Sequence, residues 1–172
     1  SQEGVELLEA AEAHLRSRAP TPEQELVRAH VLTSLGFFAL RQGRLEAAYG
    51  HFSASNALFA ALGAAPQMGS ATDPELGLGM LAMVAGDYRA AGRYAERVRA
   101  RSEASGPGHN QAYAWYLRAE AAQAQGLLAA AHAAARKALA LAHTSGAIWL
   151  TAYARNQLGQ VAAALGRYDE AE

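Results

Sequence analysis

The chain is predicted to be all-α, an α-solenoid of antiparallel helix pairs, and three observations carry that prediction. A phrase recurs four times: a glycine, one spacer, a Leu or Tyr, and a small residue three positions further on. It reads Gly43-Arg44-Leu45-Glu46-Ala47-Ala48, Gly86-Asp87-Tyr88-Arg89-Ala90-Ala91, Gly126-Leu127-Leu128-Ala129-Ala130-Ala131 and Gly166-Arg167-Tyr168-Asp169-Glu170-Ala171, with steps of 43, 40 and 40 residues between the glycines. A regular period of that size marks a repeat array. Ala, Leu, Glu, Gln and Arg dominate, β-branched residues are scarce, and no stretch alternates apolar with polar for long enough to make a strand. Helix starts and stops then fall in step with the phrase.

Residues Gly4 to Arg18 place Val5, Leu8, Ala11 and Leu15 at helical spacing, as the second helix of a preceding pair would. Thr21-Pro22-Glu23-Gln24 supplies an N-cap, a proline at the first helical position and a capping-box partner, and Asp73-Pro74 repeats the cap and proline. Leu62-Gly63, Ser105-Gly106-Pro107-Gly108 and Ser145-Gly146 are stops, because a glycine after a helix end can take the left-handed conformation. Asn110 is read as the cap of the helix after the second stop. The resulting helices lie near 22–41, 45–62, 74–85, 88–104, 111–125, 128–144 and 147–165, with a last one opening at Tyr168. The whole of 1–172 is read as a single repeat domain cut from a longer protein: 1–18 a leftover second helix, then repeats at 22–62, 74–104, 111–144 and 147–172, the last truncated.

Seven positions before each turn glycine stands another small residue, Gly36, Gly79, Ala119 or Gly159. Mid-helix glycine costs about 1 kcal/mol against alanine, so close approach of a partner helix is the expected reason, with Ala48, Ala91, Ala131 and Ala171 as the facing small residues.

Composition narrows the function. With 51% hydrophobic and 18% charged residues the chain can bury a core, and a net charge of -1 gives no field to attract nucleic acid or an anionic membrane. The absence of cysteine removes thiolate chemistry and fits a reducing, cytoplasmic setting. Every apolar stretch is interrupted well before the ~18 residues of a membrane span. No catalytic constellation stands out. The six histidines include no i,i+4 pair, and Gly77-Leu78-Gly79-Met80-Leu81-Ala82 spells a dinucleotide fingerprint with no strand before it. Neither enzyme activity, a metal nor a cofactor is expected. Arg89, Arg93 and Arg97 form a stripe one turn apart, interrupted by Glu96 and Glu103, and read as a solvated outer face.

From residue 22 onward, Leu35-Gly36, Leu78-Gly79 and Leu158-Gly159, the turn glycines, Tyr88 and Tyr168, and the alanines that follow together resemble the tetratricopeptide repeat. The period of 40 to 43 is longer than that family's ~34, and the closing proline is missing. This extended form is similar to the repeats of large bacterial signalling ATPases that regulate transcription. The resemblance implies a right-handed superhelix whose inner groove is lined by the first helix of each pair. Its groove positions fall on His30, Thr33, Phe37 and Arg41, then Leu76, Met80 and Met83, then Tyr113, Tyr116, Glu120 and Gln123, and last Tyr153, Asn156, Gln157 and Gln160. The early set is apolar and suits an amphipathic helix; the later set mixes tyrosines, a carboxylate and amides, and suits a polar ligand. Tyrosines at helical spacing are equally read as interhelical packing. The carboxylate clamp of chaperone-binding members is missing, since its positions hold Thr33, Phe37, Gly77, Tyr113 and Leu117. The expected role is a non-catalytic scaffold that binds a protein or peptide partner, or another domain of its own chain, in the groove. The alternative is a sensor of a sugar or peptide within a bacterial signalling regulator. Open repeat ends are also surfaces for homo-oligomerisation.

Overall fold

Each phrase glycine follows the end of one helix, and the first three stand just before the start of the next. In the computed structural model, which describes residues 2–16, 21–64, 73–103 and 108–167, Gly43, Gly86, Gly126 and Gly166 all have φ between 73° and 76°. At the first of them the Gly43 N–H donates to Leu40 O at 3.0 Å and the Arg44 N–H to Ala39 O at 2.9 Å. This double bond pattern ends a helix through one left-handed residue, a conformation in which a side chain is strained. The same pair of bonds recurs at the other three.

Eight helices result among the described residues: α1 (Gln2–Arg16), α2 (Pro22–Arg41), α3 (Leu45–Ala61), α4 (Pro74–Val84), α5 (Tyr88–Glu103), α6 (His109–Ala124), α7 (Leu128–Thr144) and α8 (Ile148–Ala164). No strand occurs among those residues. Thr21 forms the expected capping box with Gln24, and Asp73 Oδ1 accepts the Glu75 N–H at 2.9 Å. Asn110 does not cap α6. The extended residue Gly108 takes that position, its carbonyl accepting the Ala112 N–H at 3.1 Å, and the helix begins at His109. The helix expected from Tyr168, with Ala171, lies outside the described residues.

The chain divides into two units, Ser1–Leu81 and Ala82–Glu172. In the first unit α2 packs on α1 and α3. Val5 of α1 is buried, as its spacing predicts, and Glu12 pairs with Arg28 of α2 at 3.2 Å. Ala48, Phe52, Ser55 and Phe59 form the buried stripe of α3. In the second unit α5 packs on α6, α6 on α7, and α8 on both α7 and α6.

Ala48, Ala91 and Ala131 are fully buried, but Ala48 and Ala131 are not what meets the small residues seven positions before their turns. A Cβ on Gly36 would meet the ring of Phe52 at 2.6 Å. Ala119 clusters with Ala134 and Ala135, while Ala131 clusters with Ala122 and Val161. The reason is antiparallel geometry: residues at similar distances from a turn meet, so a position far back on the first helix meets one equally far along the second.

Candidate functional site

Helix α6 has two working faces. On one, Trp115 packs against the Ala119, Ala134 and Ala135 cluster. The guanidinium groups of Arg118 and Arg99 lie over its ring at 5.1 and 5.7 Å. Both arginines pair with Glu96, Arg118 at 3.1 Å and Arg99 at 2.5 Å, and Arg99 also reaches Glu103. The three arginines of the α5 stripe, Arg89, Arg93 and Arg97, are exposed, and Arg97 lies over the Tyr94 ring at 4.6 Å.

The other face carries a row of aromatic rings. His109, Tyr113, Tyr116, Glu120 and Gln123 recur at three- and four-residue steps on α6, and Trp149, Tyr153 and Gln157 recur on α8, so each set lies along one helix side. The rings interleave between the two helices. Trp149 stands edge-on to Tyr113 at 5.4 Å and lies 5.4 Å from His109. Tyr153 stands edge-on to Trp149 at 5.9 Å and to Tyr116 at 6.1 Å. Edge-to-face pairs at these separations each add about 0.5–1.5 kcal/mol beyond area burial. The α6 rings form the floor, with Tyr113 buried. The α8 rings form the outer layer, with Trp149 46% and Tyr153 56% exposed and Ile148 beside them 85% exposed.

Polar groups continue the row toward the C-terminal ends of both helices. The Tyr116 hydroxyl donates to Glu120 Oε1 at 2.6 Å. One turn on, the Gln157 amide N–H donates to Gln123 Oε1 across the helix pair. Burial raises the Glu120 pKa above the ordinary carboxylate value, and the Tyr116 hydrogen bond offsets this only in part. Burial, reinforced by the nearby Glu120 carboxylate, keeps Tyr113 and Tyr116 firmly protonated. Burial alone lowers the His109 pKa, which favours the neutral ring.

The later set of sequence candidates therefore comes together in the second unit. Tyr113, Tyr116, Glu120, Gln123, Tyr153 and Gln157 are in mutual contact or one turn apart, while Asn156 and Gln160 are exposed on α8. Met83, half-buried on α4, is in the same unit. The early set lies in the first unit and is largely packing. Thr33 is buried, donating to Ala29 O at 3.1 Å and sharing a 2.8 Å hydrogen bond with Ser55. Leu76 is fully buried. Phe37 stands edge-on to Phe52 at 4.8 Å, and His30 edge-on to Phe59 at 5.2 Å. Met80 is half-buried and Arg41 exposed.

Sequence reasoning missed His109 and Trp149. Both sit one turn before a chosen tyrosine, Tyr113 and Tyr153, so extending each stripe by four residues finds them. No cluster of three or more His, Asp or Glu side chains able to hold a metal occurs among the described residues. Nor is any described helix long and apolar enough to cross a membrane. No protein-family model matches the chain, and no curated protein matches it either.

Proposed function

We propose that this chain is a non-catalytic binding module that takes a partner segment along the α6 and α8 face. The observation that carries the reading is the two-layered aromatic row, with exposed Trp149 and Tyr153 resting on buried Tyr113 and half-buried Tyr116. Exposed aromatics held by a rigid floor lose little side-chain entropy on contact, which makes them effective anchors for a partner. Further support comes from the hairpin repeat. Alternate first helices α6 and α8 pack side by side, the neighbour relation that a tetratricopeptide-like α-solenoid requires, and we read the chain as one.

A second reading has one observation in its favour. Glu120 and the Gln123–Gln157 amide pair adjoin the rings, and amides beside aromatic rings also suit a sugar. In that case the module is the sensor region of a bacterial signalling regulator.

An array of random heptapeptides and a panel of oligosaccharides, each probed with wild type and with the double variant Trp149→Ala/Tyr153→Ala, tests both. Peptides captured by wild type and lost by the variant support the leading reading. Oligosaccharides behaving so support the second. Ligands that bind both proteins equally would move the site off this face.

A further inference from the structure

Glu120 differs from every other described carboxylate of the second unit. Asp87 Oδ1 accepts the Ala90 N–H at 2.8 Å at the start of α5. Glu96 pairs with Arg99 and Arg118, and Glu103 pairs with Arg99. Glu120 has only the Tyr116 hydroxyl, on Oε1, and its second oxygen has no partner among the described residues. It is half-buried beside Tyr116 and Tyr113, and its ionised form carries a desolvation cost that the Tyr116 hydrogen bond offsets only in part. Arg118 and Arg99 are committed to the Trp115 face, and Arg97 lies over the Tyr94 ring.

We propose, on the reading that this face takes a partner segment, that the segment presents an Arg or Lys whose charge is held by Glu120 and whose stem crosses Tyr116 and Tyr153. Two features of the face recognise the same charge. A ring face attracts a cation within about 6 Å of its centroid. A carboxylate with one unused oxygen accepts a charge-assisted hydrogen bond, roughly twice as strong as a neutral one. Because the Glu120 side chain is already oriented by Tyr116, little ordering remains to be done on binding. The attraction of the bound cation offsets part of the desolvation cost of the ionised carboxylate.

The test uses the full chain and four heptapeptides of alanine, leucine and serine whose central residue is arginine, lysine, citrulline or leucine. Its two tryptophans, Trp115 and Trp149, give separate indole N–H signals for NMR titration. The arginine and lysine peptides should shift the Trp149 signal and bind at least about tenfold more tightly than the citrulline and leucine peptides, the ratio expected for a charge-assisted contact. Glu120→Gln, which keeps the shape and the Tyr116 hydrogen bond, should abolish that preference while leaving the circular dichroism unchanged. Equal shifts from all four peptides, unaffected by Glu120→Gln, would overturn the cation assignment and leave the partner-segment reading standing. No shift of Trp149 by any peptide would overturn both. N-acetylarginine amide binding as tightly as the arginine peptide would overturn the segment as the source of the cation.

Discussion

The ring of Phe52 occupies the space where a side chain on Gly77 would begin. A Cβ at Gly77 would stand 2.2 Å from Phe52 Cζ, and one at Gly36 would stand 2.6 Å from Cε1. Phe52 is fully buried. Its ring thus fills the gap left by two glycines on α2 and α4, and each glycine is required by the same neighbour.

Gly77→Ala should therefore destabilise the protein, although alanine is the better helix former by about 1 kcal/mol. The ring cannot swing aside, because Gly36 bounds it as well, and overpacking of this kind costs about 1–3 kcal/mol. Phe52→Leu, which removes the offending ring atoms, should cancel most of the Gly77→Ala cost in a double-mutant cycle measured by urea unfolding. Additive effects would mean that the ring is free to move.

Not every glycine is constrained in that way. Gly50 and Gly92 sit in α3 and α5 with nothing within 4 Å of a built Cβ, so replacing either with alanine should stabilise by up to about 1 kcal/mol. Gly126 is equally uncrowded, yet its φ of +75° makes alanine strained there. Gly126→Ala should lose about 1–2 kcal/mol. Thermal melts of the three variants separate open space from backbone conformation as the reason for glycine. Stabilisation by Gly126→Ala would contradict the turn geometry.

The contrast among these glycines marks what could be read from the residues. Turn glycines and caps are local, so Gly43 and Thr21 announced their structure, and seven helices fall within two residues of their expected bounds. Pairing across helices is not local. The small residue of the first three phrases, Ala48, Ala91 and Ala131, is buried, but its partner depends on where two antiparallel helices cross, and that places Phe52, not Ala48, against Gly36. The candidate site divides for the same reason. Spacing identified Tyr113, Tyr116 and Tyr153 as one side of their helices, yet it could not show that Thr33 spends its hydroxyl on Ala29 and Ser55 inside a helix pair. His109 and Trp149 fell outside the positions considered, although they continue the same stripes.

His109 offers a check on how enclosed the first ring of the row is. Its pKa lies below the ordinary 6.5 because burial penalises the imidazolium. The unfolded chain takes up a proton first as pH falls, so the stability tied to this group is complete above 6.5 and is lost as pH drops from there through the folded value. The C2–H signal of His109 should titrate with a midpoint below 6.5. A midpoint at or above that value would mean that the ring is open to water or has gained an anionic partner.

Glu120 should show the opposite slope. Its folded pKa is raised from the ordinary 4.5, chiefly by burial. Between the two values the folded protein keeps a proton that the unfolded chain has released, so the contribution of Glu120 to stability is greatest below 4.5 and is lost as pH rises through the folded value. Glutamine at this position cannot titrate. The stability of wild type minus that of Glu120→Gln should therefore fall as pH rises from about 4.5 toward neutrality, and urea unfolding of both proteins at steps across that range measures it directly. Taking the difference removes the slopes of all other groups, including His109, which are common to both proteins. A cationic partner resting on the ionised carboxylate would lower the Glu120 pKa and flatten the fall. A difference that stays level in the free protein, or rises with pH, would show that Glu120 is already compensated within the fold.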